Sequence, residues 1–163
     1  MENIVEVTVE IPMGTKNKYE IDKETGRIKL NRVQYSSMTY PAEYGFVDET
    51  LSEDNDPLDV LVLMSEPTFP GCLVDARIVG YLKTIDGGYA DNKIIAVSNA
   101  DPRFNHISDI EDLNEHILLE IKNFFQNYKI LQKIKVEVFD FYPKKDALKV
   151  LIDSKTAYKN SKE

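Results

Sequence analysis

At 163 residues the chain fits one domain, large enough to bury a core without disulfides; its single cysteine, Cys72, excludes an internal disulfide and a multi-cysteine zinc site and reads as a small buried hydrophobe. No apolar run approaches the ~18 residues of a membrane span, and residues 1–10 hold neither a basic leader nor a cleavable apolar segment, so a mature cytoplasmic protein without a membrane partner is expected. The formal charge of −8 opposes binding along a nucleic-acid backbone and gains meaning only if the carboxylates gather in one place.

Val5, Val7, Val9 and Ile11 alternate with Glu6, Thr8 and Glu10, the period of a strand with one apolar face, and Glu10 then lies on the other. Residues 18–21 and 27–30 flank Asp22-Lys23-Glu24-Thr25-Gly26, whose turn formers predict a hairpin. Further strands are expected at 58–64, 74–82, 93–97 and 133–139, separated by Pro- and Gly-bearing stretches, which predicts a small barrel. Ile117, Leu118, Ile121, Phe124, Phe125 and Tyr128 recur at spacings of three and four, the stripe of a helix lying on the barrel, with Ser108 and Glu111 as a capping box upstream. Residues 146–158 form a second predicted helix, followed by a polar tail. The whole is a mainly β fold with α, one domain over 1–163, with two flanking helices.

The densest acidic feature, Asp54-Asn55-Asp56-Pro57-Leu58-Asp59-Val60, runs straight into an apolar strand. Pro57 restricts Asp56 and donates no hydrogen bond, so the segment should be a shaped loop whose carboxylates converge. Taken alone, a pair of aspartates spaced like this reads first as a solvated acidic turn; a calcium-binding EF-hand fits poorly, because Asp59 and Ser65 stand where that loop needs glycine and glutamate. A second acidic stretch, Asp86-Gly87-Gly88-Tyr89-Ala90-Asp91-Asn92-Lys93, reads alone as an ordinary hairpin loop. If both loops met at one barrel mouth, each like-charged pair about 4 Å apart would cost ~4 kcal/mol at an effective dielectric of 20. Such a cluster needs cations, and hard oxygen donors point to magnesium or manganese rather than zinc. Lys18, Arg32, Tyr40, Tyr44, Lys93, Tyr128 and Lys129 add groups that would match a compact, multiply charged phosphate compound.

On these residues the sequence resembles the soluble family I inorganic pyrophosphatases, in their short bacterial form, over nearly the whole chain. The metal-site signature D-x-D-P-x-D followed by an aliphatic residue is matched by 54–60. Glu10-Ile11-Pro12, Lys18-Tyr19-Glu20, Tyr40-Pro41, Tyr44-Gly45-Phe46, Phe124-Phe125 and Tyr128-Lys129 follow in the family's order. The resemblance implies a five-stranded oligonucleotide-binding-type barrel with extra strands and a site in its mouth. Asp54, Asp59 and Asp91 would ligate the tightly held metals, and Asp86 would join Asp91 around a further one; Glu10 and Glu20 would act through water. Asp56 would orient or deprotonate the attacking water. Lys18, Arg32, Tyr44, Lys93, Tyr128 and Lys129 would grip the phosphates, with Tyr40 in support. It further implies magnesium-dependent hydrolysis of pyrophosphate to two phosphates by in-line attack of a metal-activated water, with several magnesium ions per subunit, manganese or zinc as substitutes, and a homo-oligomer, a hexamer favoured. Asn31 and Glu43 depart from the family, which often has aspartate and asparagine there, and cloud the outer hydrogen bonds and pH dependence.

His106 and His116 read as structural. The rival readings are a nucleic-acid-binding barrel, which the acidic balance opposes, a hydrolase of nucleotides or organic polyphosphates, and a calcium protein that binds without turnover.

Overall fold

The computed structural model describes residues 3–163. Strands β1 (Ile4–Ile11), β4 (Glu43–Val47), β5 (Leu58–Leu63), β6 (Leu73–Asp86) and β8 (Lys93–Ser98) pair in the order β1-β4-β5-β8-β6, and β6 returns to β1 to close a five-stranded barrel. Four of these pairings are antiparallel; β5 and β8 run parallel. The hairpin of β2 (Asn17–Ile21) and β3 (Ile28–Val33) forms its own two-stranded sheet, β7 (Tyr89–Ala90) folds back on the end of β6, and β9 (Val136–Pro143) adds to β6 outside the ring. Helices α1 (Glu115–Asn127) and α2 (Lys144–Ser161) complete the fold.

Alternate residues of the central strands feed two cores. Leu61, Leu63, Ile95 and Val97 pack with Phe124 and Phe125 of α1, whereas Val60, Val62, Ile94 and Ala96 join Val7 and Val9 and meet Ala147 and Leu151 of α2. Burial on both faces is why β5 and β8 read as apolar runs rather than alternating strands. Each Val, Leu, Ile or Phe among them withdrawn from water contributes about 1.5–3 kcal/mol.

The structure corrects several sequence expectations. Strand β4 was not anticipated; its Gly45 is required because a Cβ there would lie 2.1 Å from the Thr8 carbonyl oxygen of β1. The strand expected at 133–139 begins at Val136 instead, because Ile130–Gln132 forms a 3-10 turn that ends on Lys133 with φ 60°. Ser108 and Glu111 do not cap α1: Asp109 and Asp112 form a capping box around the turn Ile110–Asp112, and Asn114 caps α1 by accepting the His116 N–H at 2.9 Å. Helix α2 is longer than 146–158 and starts where Asp109 Oδ1 accepts the Lys144 N–H at 3.0 Å, leaving little tail. Cys72 is half-buried, not buried. No helix among the described residues is long and apolar enough to cross a membrane.

Candidate active site

The parallel pairing of β5 and β8 builds the site. It sets Asp59 beside Lys93 at the first turns of both strands, so the loops leading into them, 51–57 and 86–92, reach the same barrel mouth. The first loop is shaped as expected ahead of Pro57: Ser52 N–H donates to the Asp56 carbonyl at 2.8 Å, Asn55 takes φ 67°, and Asp56 N–H donates to Asp54 Oδ1 at 3.1 Å. The second is a hairpin turn through Gly87 and Gly88, with Asp91 fastened to β6 by its N–H on the Thr84 carbonyl (3.0 Å) and by the Thr84 hydroxyl on its own carbonyl.

All the candidate residues line one cleft of about 580 Å³: Asp54, Asp56, Asp59, Asp86 and Asp91, with Glu10 and Glu20, Lys18, Arg32, Lys93 and Lys129, and Tyr40, Tyr44 and Tyr128. Asp22, Lys23 and Glu24 of the hairpin turn join its rim. His106 and His116 lie outside it. Glu43, at 0% exposure, also lies outside the lining and is structural: its carboxylate accepts N–H groups from Met13 (2.8 Å) and Thr68 (3.1 Å). Asn31 is exposed and accepts from its neighbour Arg32.

The deepest charge lining the cleft is the Lys93 ammonium, which donates to Asp59 Oδ2 at 2.7 Å, Asp91 Oδ2 at 2.8 Å and the Tyr44 hydroxyl at 2.7 Å. It also sits 5.3 Å from the Tyr44 ring centroid and 5.5 Å from that of Phe125. Burial pushes the Asp59 carboxyl up to about 6 against the pull of Lys93. Burial also acts upward on Asp91, but Lys93, its hydrogen bond and the more distant Lys129 together hold that carboxyl below its usual range. Lys129 Nζ pairs with Asp86 Oδ2 at 2.6 Å. Burial raises Tyr40 to about 12 and pushes Tyr44 and Tyr128 up as well, so all three phenols stay protonated. Asp54 and Glu10 are raised by burial as well.

The hairpin forms the opposite wall. Its register sets Lys18 against Arg32, Lys18 Nζ lies 3.5 Å from Glu20 Oε1, and Glu10 Oε2 accepts the Ile21 N–H at 3.0 Å, fastening β2 to β1. The Arg32 Nε–H is buried without a hydrogen-bond partner, a donor left over for an anion. Sequence reasoning missed two supports: Thr84, and Gln34, whose Nε2 donates to the Tyr128 carbonyl at 2.7 Å just before Lys129. Gln34 and Tyr128 are 94 positions apart and Thr84 carries no charge, so neither leaves a local signal in the sequence.

The donor chemistry fits hard divalent cations: the acidic side chains are all oxygen donors, and two of them already share one cation, the Lys93 ammonium. The cage is open rather than closed, since no group of three or more His, Cys, Asp or Glu side chains among the described residues is drawn together tightly enough to hold a metal.

Residues 7–159 match the profile of a protein family described as inorganic pyrophosphatase. The chain is 49% identical over 156 residues to the inorganic pyrophosphatase of Halalkalibacterium halodurans, covering 96% of each. Its fold superposes on the crystal structure of inorganic pyrophosphatase from Thermus thermophilus with a TM-score of 0.93 at 41% identity, over 96% of this chain and 92% of that one. A Helicobacter pylori inorganic pyrophosphatase structure gives a TM-score of 0.94 at 41% identity, over 98% and 95%.

Proposed function

The chain belongs to the inorganic pyrophosphatase family and is a hydrolase of pyrophosphate, and from that premise we propose a magnesium-dependent reaction in which water attacks one phosphorus in line, with no covalent intermediate. The observation that carries this reading is the mixture in one cleft: carboxylates enough for several divalent cations facing lysines and an arginine suited to two phosphates. The lining contains no Ser, Thr, Cys or His, which supports water rather than such a side chain as the nucleophile.

Asp54, Asp59 and Asp91 would hold the tightly bound cations and Asp86, with Asp91, a further one, while Glu10 and Glu20 act through water. When bound, magnesium supplies positive charge to the phosphate oxygens and lowers the pKa of a water. Asp56 is exposed at the cleft edge, where its carboxylate can orient that water and accept its proton. Lys18 and Arg32 from the hairpin, Lys93 from the barrel and Lys129 from the turn that follows α1 hold the two phosphates; pre-placed charge of this kind is usually the largest catalytic term. The protonated phenols of Tyr40, Tyr44 and Tyr128 add neutral donors.

Phosphate release by the purified protein is the test, with magnesium, with calcium in its place, and after chelation. Rapid release from pyrophosphate with magnesium alone, and slow release from a nucleoside triphosphate, is expected. Equal rates on both substrates would move the reading to organic polyphosphates; none on either would remove it.

The same reading includes a cytoplasmic homo-oligomer, a hexamer favoured. Large apolar side chains exposed on β3 (Ile28, Leu30), near β6 (Phe69, Leu73) and on α1 (Leu119) support covered surfaces. A monomer by light scattering at working concentration would dismiss it.

A further inference from the structure

The two acidic loops come from different parts of the chain, and the second is sparsely packed. At Gly87 and Gly88 an added Cβ would meet nothing within 4 Å, Tyr89 is exposed, and β7 is two residues long, paired with β6 alone. Thr84 fastens Asp91 to β6 but makes no hydrogen bond to the 51–57 loop. One side-chain bond does cross between the loops: Glu53 Oε2 accepts the Ala90 N–H at 2.7 Å, over 37 positions of sequence. Glu53 directly precedes Asp54 and Ala90 directly precedes Asp91, so this bond ties the backbone next to one expected metal ligand to the backbone next to another. Its own end is stiff, because the Ser52–Asp56 and Asn55–Ser52 bonds lock the turn from which Glu53 projects.

We propose that Glu53 is a positioning residue that clasps the 86–91 turn to the 51–57 loop and so sets the spacing of the carboxylates that take the divalent cations. The inference rests on the pyrophosphatase reading of the cleft. Glu53 itself is exposed and is absent from the cleft lining, so it acts through the position of Asp91 relative to Asp54 and Asp59, not as a ligand. What the clasp requires is an acceptor oxygen, not a charge.

That distinction sets the experiment. Glu53→Ala removes the acceptor, and Glu53→Gln keeps an amide oxygen able to accept the same N–H. Calorimetric titration of each protein with manganese, without substrate, should show affinity weakened about five- to tenfold in Glu53→Ala, the scale of one ordinary hydrogen bond lost. Glu53→Gln should stay within about twofold of wild type, and melting temperatures should change little because the side chain is exposed. In turnover assays the metal concentration for half-activation should rise in Glu53→Ala, with kcat recovered at saturating magnesium. The proposal is overturned if Glu53→Ala binds manganese as wild type does, if Glu53→Gln is as weak as Glu53→Ala, which would make the effect one of charge, or if wild type binds no manganese. Wild-type phosphate release, measured in parallel, tests the pyrophosphatase reading separately: manganese binding that obeys the clasp without turnover would keep the clasp and remove the reaction.

Discussion

The barrel mouth and the β2–β3 hairpin face each other across one cleft and are built in opposite ways. At the mouth, Lys93 is 2% exposed and opens a strand buried on both faces, and Asp91, 9% exposed in the loop just before it, is held to it by an ion pair. The hairpin has hardly any core: β3 is exposed along its length except at Arg32, and its strands pair only with each other. Its fastenings to the rest are polar and few, chiefly Glu10 to the Ile21 N–H and Gln34 to the Tyr128 carbonyl. A site assembled this way roots Asp59 and Lys93 in a stiff frame, while Lys18 and Arg32 sit on a wall with little core behind it. Deeply buried charges tie function to stability on one side; on the other the two can be altered separately.

That contrast is sharpened first by Asp56→Asn, which should lower kcat by about 10²–10⁴-fold while leaving the melting temperature unchanged, since geometry survives and basicity does not. Steady-state kinetics checks it, and near-normal turnover would take Asp56 out of the chemistry. Next, Lys93→Met leaves Asp59 and Asp91 facing each other without their shared cation, and should cost about 3 kcal/mol. In chelator, thermal unfolding should therefore fall by roughly 6–12 °C for a domain of this size. On the hairpin, Arg32→Ala should raise KM about tenfold, the scale of a lost charge-assisted contact, with kcat and melting temperature nearly kept. If Arg32→Ala destabilises as much as Lys93→Met, the contrast between the two walls is wrong. The smallest effect lies outside both: hydrogen bonds, led by those from Ser65, hold the Asp101 carboxyl down at about 2 against an ordinary 3.8. A depressed carboxylate stabilises the fold at higher pH, and the contribution fades as pH falls through that window. The urea midpoint advantage of wild type over Asp101→Asn should therefore be full at pH 5 and shrink between about pH 4 and about pH 2.

How much the sequence disclosed followed the range over which each signal acts. The alternation of Val5 to Ile11 and the hairpin formers at 22–26 are local, and β1, β2 and β3 stand where they predict. The aspartates of 54–59 were legible because their spacing is local too, and family likeness extended that to Lys18, Arg32 and Tyr128. Strand β4 was hidden because Gly45 interrupts its apolar pattern, for a reason that lies in the Thr8 carbonyl of another strand. The cap of α1 was misplaced because Ser108, Asp109 and Asp112 serve a separate turn, with Asp112 accepting from the Ser108 and Asp109 N–H groups and Asp109 from that of Ile110, and α1 begins only after Asn114. The parallel β5–β8 register and the Glu53–Ala90 bond depend on segments distant in sequence, and no periodicity announces either.

The return of β6 to β1 has a bearing on how the chain acquires its shape over time. Val5 pairs with Ala76, and β8, ending at Ser98, must lie between β5 and β6, so the ring cannot shut until about three fifths of the chain is available, and contacts of such long sequence separation are slow to form because loop entropy is lost before they repay it. On a ribosome the first strand would emerge long before its closing partner and wait with an unpaired edge. Glu10 and Asp91 come to the same cleft only after that late step. Catalytic competence would therefore appear last in refolding, behind the recovery of helical signal from the local turns of α1 and α2.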